Sequence, residues 1–242
     1  MSSIQPTTIY FVRHGEVYNP RQILYGRMPR FGLSELGRRE AENTASVLAK
    51  EPVAAIYSSP QLRARQTARA LAAYHPELKV QTSISIAEVV TGWQGRPYTE
   101  LHAIDFDFYS SPLPGEYETV EHIWDRVRLF VERVRRRHEG RTVVAVTHGD
   151  IVFVARAGYL GMPIEVTSIR GRHIYPGHAS LTRLTFCLPQ ETYPKRVEYF
   201  DPNGADTRWS RGWVTVPAGG LLEESEEGEP GGPPWIPPNS DQ

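Results

Sequence analysis

Two short apolar runs constrain this chain more than anything else in it: Ile9-Tyr-Phe-Val-Arg13-His14-Gly15 near the start, and Val143-Val-Ala-Val-Thr-His148-Gly149 far downstream. Each is rich in β-branched and aromatic residues, as strands are. Each is apolar at successive positions, so a strand built from it must be covered on both faces, which is the habit of parallel strands in α/β proteins. Both runs stop at His-Gly. In an open α/β sheet, ligands sit in the crevice beyond the carboxyl ends of the strands. The two imidazoles are therefore expected to face one pocket, with each glycine leaving room for a substrate group to approach the ring.

A third segment, Val53-Ala-Ala-Ile-Tyr-Ser-Ser59-Pro60-Gln-Leu-Arg63-Ala-Arg65, repeats the strand-then-turn pattern. Ser59 is expected to cap a helix over residues 60–74, with Pro60 at its first position. Arg63 then lies within the first turn, where the helix already presents unpaired N–H groups and partial positive charge. A cation there is unfavourable unless an anion binds beside it. Arg65 and Arg69 are read as surface residues of the same helix.

The rest of the pattern alternates in the same way. Strands are expected at 7–13, 53–57, 142–147 and 179–187, and helices at 34–50, 60–74, 119–138 and 149–160. The helix over 119–138 has the clearest period, with Val120, Ile123, Trp124, Val127, Phe130, Val131 and Val134 on one face. Its end, Arg135-Arg-Arg137-His138, reads as a solvated basic terminus. Alternation of this kind implies an α/β fold: a three-layer sandwich with a mainly parallel central sheet and helices on both faces. The connections 15–33 and 88–118 are long enough to form the wall or lid of a pocket.

Residues 1–200 are read as one α/β domain and 201–242 as an acidic, Pro/Gly-rich C-terminal tail with too little apolar surface to order itself. Residues 212–242 hold six carboxylates and no Lys or Arg, so the body before them is mildly basic although the whole 242-residue chain has a net charge of −1. That suits an anionic substrate. The single cysteine, Cys187, rules out an internal disulfide and fits a reducing, cytoplasmic location. No secretory leader, membrane span or nucleic-acid-binding pattern is expected. The implied partner is a small anionic molecule, which the resemblance set out next makes a small-molecule phosphate ester. Neither a Gly-x-x-x-x-Gly-Lys phosphate loop nor a His-Glu-x-x-His zinc helix occurs, so no metal and no cofactor is expected.

Four segments together resemble the histidine phosphatase superfamily, also called the phosphoglycerate mutase-like family. They are Arg13-His14-Gly15-Glu16, Ser58-Ser-Pro-x-x-Arg63-Ala-x-Gln66-Thr-Ala, Glu88 with Gly92-Trp-Gln-Gly95, and Thr147-His148-Gly149, in the family's order across residues 7–190. Composition alone does not rank the two histidines. Arg13 beside His14, together with the resemblance, favours His14 as the nucleophile that carries the phosphoryl group. Arg13, Arg63 and His148 then cradle the phosphate oxygens, with Gly149 beside them. The resemblance also makes Glu88 the general acid, with Glu16, Glu116 and Asp150 as rivals by position. It gives Asn19 a phosphate contact, at a spacing from the Arg-His-Gly motif one residue shorter than is usual. Tyr18, Arg21, Tyr25 and Arg27 are placed near the substrate's remainder; His173 and His178 are given a loop role.

Within the resemblance, hydrolysis is favoured over mutase-type phosphoryl transfer, because Val89–Arg96 is compact and holds one arginine. A silent phospho-ligand binding module would be expected to have lost one of Arg13, His14, Arg63, Glu88 or His148, and all five are present. A cysteine phosphatase needs an arginine six residues beyond the cysteine, where this chain has Tyr193. The sequence leaves the physiological substrate and the oligomeric state open.

Overall fold

The two apolar runs form neighbouring central strands of one seven-stranded sheet. A computed structural model describes residues 5–167, 175–204 and 209–216. Its elements run β1 (Thr7–Arg13), α1 (Glu35–Leu48), β2 (Val53–Ser58), α2 (Leu62–Ala73), β3 (Val80–Thr82), a 3-10 turn (Ile84–Ile86) and α3 (Tyr98–His102). Then follow α4 (Val120–Arg137), β4 (Thr142–Thr147), α5 (Gly149–Tyr159), β5 (Leu181–Phe186), β6 (Arg196–Phe200) and β7 (Val214–Thr215). The spatial order of strands is β3-β2-β4-β1-β5-β6-β7. The first four are parallel, and β5, β6 and β7 join antiparallel to their neighbours.

Alternation along β1 shows how the sheet divides the core. Ile9 and Phe11 pack on one side, with the apolar face of α4 and most of α5. Tyr10 and Val12 pack on the other, with Ala45, Leu48, Ala64, Ala68 and Leu71 of α1 and α2. β4 splits in the same way, Val143 and Ala145 against Val144 and Val146. This is the expected three-layer sandwich. Helix α4 contributes six buried side chains, from Val120 to Val134, and fully burying each such side chain is worth about 1.5–3 kcal/mol. Thr119 caps this helix by accepting from the His122 N–H.

Register places the chemistry. Arg13 pairs with Thr147 across the parallel ladder, and the His14 N–H donates to the Thr147 carbonyl at 3.0 Å. The residues that follow both strands are thus side by side by construction.

Three expectations need correction. Ser59 does not cap α2. Its N–H donates to Val146 at 2.9 Å, which keeps it on the sheet, and the helix begins at Leu62 with Gln61 as its cap residue. Arg63 is consequently the second helical residue. Arg135 is not merely solvated: its guanidinium lies 3.7 Å from the Phe186 ring centroid and donates to the Leu188, Pro189 and Glu191 carbonyls. The packed body also does not stop at residue 200. β7 pairs with β6, and Trp213 packs with Tyr10 and Phe200. The remainder of the expected tail, 217–242, lies outside the described residues, as does His173.

Candidate active site

Four strand ends and one helix start converge. His14 follows β1, His148 follows β4, Arg63 opens α2 after β2, and Glu88 comes just beyond the 3-10 turn after β3. The rings of His14 and His148 stand 5.2 Å apart, edge to face. Arg63, fully buried, ties the group together. Its Nε–H donates to Nε2 of His14 at 3.1 Å, and one Nη2 reaches the Gly26 carbonyl at 2.9 Å, Glu88 Oε2 at 2.9 Å and His148 Nδ1 at 3.1 Å.

The tautomer of His14 follows from its partners. Nδ1 lies 2.7 Å from the Gly15 carbonyl oxygen, which can only accept, so Nδ1 carries the proton. Nε2 then keeps its lone pair, held towards Arg63. Burial first, then the charges of Arg63, His148 and Arg13, hold His14 well below the usual imidazole range. It is neutral at physiological pH.

Glu88 and His148 form a coupled pair, with Oε2 and Nδ1 3.1 Å apart. Burial raises the Glu88 carboxyl, but His148, Arg63 and the Val89 N–H outweigh it and hold the group well below the usual carboxylate range. Burial lowers His148 to about 4, against an opposing pull from Glu88. The pair at neutral pH is a carboxylate beside a neutral imidazole, and an added proton belongs to both. Ser59 Oγ lies 2.6 Å from His148 Nε2 and fixes the other side of the ring.

Arg13 is held from β5's side. Its Nη1 donates to the Pro176 carbonyl at 2.6 Å and its Nη2 to Nε2 of His178 at 3.0 Å. Among the described residues, Arg13 Nε and Arg63 Nη1 are buried donors with no acceptor in the protein. Buried donors are nearly always paired, and two spare guanidinium donors, one on the arginine bonded to His14 Nε2 and one on the arginine that precedes His14, suit the oxygens of a tetrahedral oxyanion.

The long connections form a cap joined by main-chain hydrogen bonds, Leu24 N–H to Arg96 O and Gly95 N–H to Leu24 O among them. Arg27 donates to the Glu88 carbonyl at 2.6 Å and to Glu118 at 3.1 Å, and Glu118 also binds Arg126 and the Val90 N–H. Tyr25 lies over Arg63, 4.6 Å from ring centroid to guanidinium carbon. Asn19 sits in this cap with its amide nitrogen donating to the Ile23 carbonyl and the Tyr98 hydroxyl, outside the cluster around Arg63. Glu116 and Tyr18 are exposed. Glu16 faces Ser34, whose hydroxyl donates to it, and its N–H donates to Glu40.

The motif glycines serve packing rather than substrate access. A Cβ on Gly15 would meet the Gly37 carbonyl oxygen at 2.3 Å, and one on Gly149 would meet the Tyr175 hydroxyl at 2.2 Å. His178, read from sequence as a loop residue, is Arg13's acceptor. Glu118, Arg126, Gln61, Tyr109 and Tyr175 were not found from sequence at all, since none belongs to a motif or a periodic face.

Ligand atoms of His14, Glu88 and His148 all lie within 4.8 Å of one another, close enough to hold a cation. Arg63 occupies the same ground, bonded to each of the three. A divalent ion would be set against a fixed guanidinium charge, whereas an anion would be attracted by it.

Comparison with known proteins agrees with this geometry. The profile of the histidine phosphatase superfamily (branch 1) matches residues 9–193, and the chain belongs to that family. The metal-independent phosphoserine phosphatase of Arabidopsis thaliana is 32% identical over 64% of this chain and 68% of its own. Phosphoserine phosphatase 1 of Hydrogenobacter thermophilus is 34% identical over 58% of this chain and 70% of its own. The structure of a mycobacterial glucosyl-3-phosphoglycerate phosphatase superposes with a TM-score of 0.68 at 25% identity, covering 83% of this chain and all of that one. This chain is accordingly a phosphoric monoester hydrolase of the histidine phosphatase type. Among the described residues no helix is long and apolar enough to cross a membrane.

Proposed function

We propose that the chain hydrolyses a small phosphorylated metabolite in two steps through a phosphohistidine on His14, with Glu88 as general acid and then general base. The observation that carries this reading is the fixed tautomer of His14, whose Nδ1–H is spent on Gly15 while its Nε2 lone pair faces the guanidinium cluster.

Arg13, Arg63 and His148 hold the phosphoryl oxygens; Gly149 opens the helix beside them, and Asn19 lends the cap a polar contact. Nε2 of His14 attacks phosphorus, the P–O bond to the alcohol breaks, and Glu88 gives its proton to the departing oxygen. Water then attacks phosphorus and loses its proton to Glu88. The N–P bond breaks and inorganic phosphate leaves with His14 neutral again. Glu88 is ionised before substrate arrives, so the first proton must come with the ester. A monoester whose second ionisation lies near pH 6 brings one, and its negative charge raises the carboxyl next to it.

The relatives named above act on phosphoserine and glucosyl-3-phosphoglycerate. Phosphate esters of small carboxylic metabolites are therefore the substrates to try first. The single cysteine supports a cytoplasmic setting.

Rapid quenching with labelled substrate tests the reading. An acid-labile, base-stable phosphoenzyme is expected, lost together with turnover in His14→Ala. Label still formed in His14→Ala and residing on His148 would overturn it. Activity should survive EDTA, and loss restored by a divalent cation would contradict the anion cradle.

A further inference from the structure

Asp150 stands one residue beyond Gly149 in the first turn of α5, yet it takes no part in the cluster around Arg63. Its two carboxylate oxygens accept from two different loops. Oδ2 receives the Tyr109 hydroxyl at 2.7 Å, and Oδ1 receives the Tyr175 hydroxyl at 2.7 Å.

Each phenol belongs to a stretch that matters to the site. Tyr109 lies in the 88–118 connection, which begins with Glu88, and packs on Phe108 at 4.5 Å between ring centroids. The same connection is closed on itself where the Trp93 indole N–H donates to the Ser111 carbonyl at 2.7 Å. Tyr175 heads the stretch whose Pro176 carbonyl and His178 ring accept from Arg13. Its own ring lies against the Arg13 guanidinium at 5.1 Å and against Phe153 at 5.6 Å. Gly149 makes this possible, since a Cβ there would come within 2.2 Å of the Tyr175 hydroxyl.

A half-buried carboxylate close to an anion site is unfavourable, and desolvation together with the charge of Glu88 does raise its pKa. One phenol could be satisfied by any backbone carbonyl. A carboxylate offers two acceptors on one rigid group, here fixed to the start of a buried helix whose dipole favours an anion. Two loops with no direct bond between these phenols thus acquire a common anchor.

We propose that Asp150 is a positioning residue of the hydrolase site. By holding Tyr109 and Tyr175 together, it seats the 88–118 cap against the stretch that orients Arg13. It thereby governs how the leaving group is received, without touching the phosphoryl group. This rests on the phosphatase reading above for its kinetic consequence, but not for its structural one.

Tyr109→Phe, Tyr175→Phe, their double variant and Asp150→Asn test it. Tyr109→Phe keeps the ring and loses one donor, so it is expected to fold. In that variant KM for alkyl phosphates should rise about five-fold, the equivalent of one lost hydrogen bond, while inhibition by orthovanadate shifts less than about two-fold. The double variant should lose less than the product of the two single losses, because both phenols act through one carboxylate. Hydrogen exchange over residues 105–113 should quicken in Tyr109→Phe with β1 and β4 unchanged, a readout independent of catalysis. Unchanged exchange over 105–113 would overturn the clasp even if the protein proved to hydrolyse nothing. Normal wild-type turnover with strictly multiplicative losses, or with vanadate inhibition weakened as much as KM, would overturn its role in receiving the leaving group.

Discussion

Arg63 donates its Nε–H to Nε2 of His14 at 3.1 Å, so in the proposed mechanism one guanidinium both shields the attacking lone pair and gives way to the incoming phosphate. Burial first, then the charge of Arg63, keeps His14 neutral, and the contact fixes the direction of its lone pair. It also explains a cation in the first turn of a helix, where the dipole disfavours one: Arg63 is matched by Glu88 before substrate binds.

Arg63→Lys is expected to lower kcat by about 10²-fold or more, the usual cost of removing one oriented donor from a developing oxyanion. Lysine keeps the charge but loses the planar fork that reaches His14, Gly26, Glu88 and His148 at once. Steady-state kinetics with p-nitrophenyl phosphate would check it. A loss below about three-fold would mean that charge alone suffices.

Glu88→Gln should slow alkyl phosphates far more than p-nitrophenyl phosphate. Nitrophenolate leaves without a proton, whereas an alkoxide does not. Plotting log kcat against leaving-group pKa should give a steeper slope in the variant. Parallel lines would move the acid role elsewhere, with Glu16 and Asp150, which adjoin the two His-Gly motifs, next to try.

Stability should fall as the solution is acidified below neutrality. Burial and neighbouring arginines depress His14 and His178, and His148 is held to about 4. In the unfolded chain these rings titrate near 6.5. Below that value the unfolded state binds protons that the folded state refuses, so each ring removes up to about 1.4 kcal/mol per pH unit. The stabilisation is full above about pH 6.5 and is lost towards pH 4. Thermal unfolding in phosphate-free buffer should show Tm dropping from pH 7 to pH 5. His178→Asn, which keeps an acceptor for Arg13 but does not titrate, should flatten the drop. A Tm independent of pH across this range would refute the account.

Much of the core of this site could be read from the sequence because the determining information is local. An apolar run ending in Arg13-His14-Gly15 fixes a strand and what lies at its end, and Thr147-His148-Gly149 does the same. Only the register, Arg13 opposite Thr147, had to be supplied by the fold. The cap could not be read in this way. Glu118 matters because Arg27, ninety-one residues earlier, and Arg126 both reach it, and no period or motif links the three. Asp150 was visible only as a charge beside a motif, since its partners come from two aperiodic loops. The glycines were read for the right positions and the wrong neighbours.

The end of the chain carries the last prediction. Its composition turns acidic and rich in Pro and Gly, which hid the return of residues 209–216 to the sheet. Trp213 is the reason for that return. Its ring lies 4.1 Å from the Arg183 guanidinium and packs with Tyr10 and Phe200, while Val214–Thr215 adds a seventh strand to β6. Truncation after Val216 should leave kcat, KM and Tm close to those of the full chain, because residues 217–242 supply no histidine or arginine to the chemistry. Truncation after Arg211 removes Trp213 and uncovers the edge of β6. It should cost about 2–4 kcal/mol, by analogy with deleting a partly buried aromatic, and leave kcat of the surviving folded fraction unchanged. The two truncations separate packing from chemistry. A large fall in kcat after Val216 truncation, with Tm retained, would place part of the site in the acidic tail.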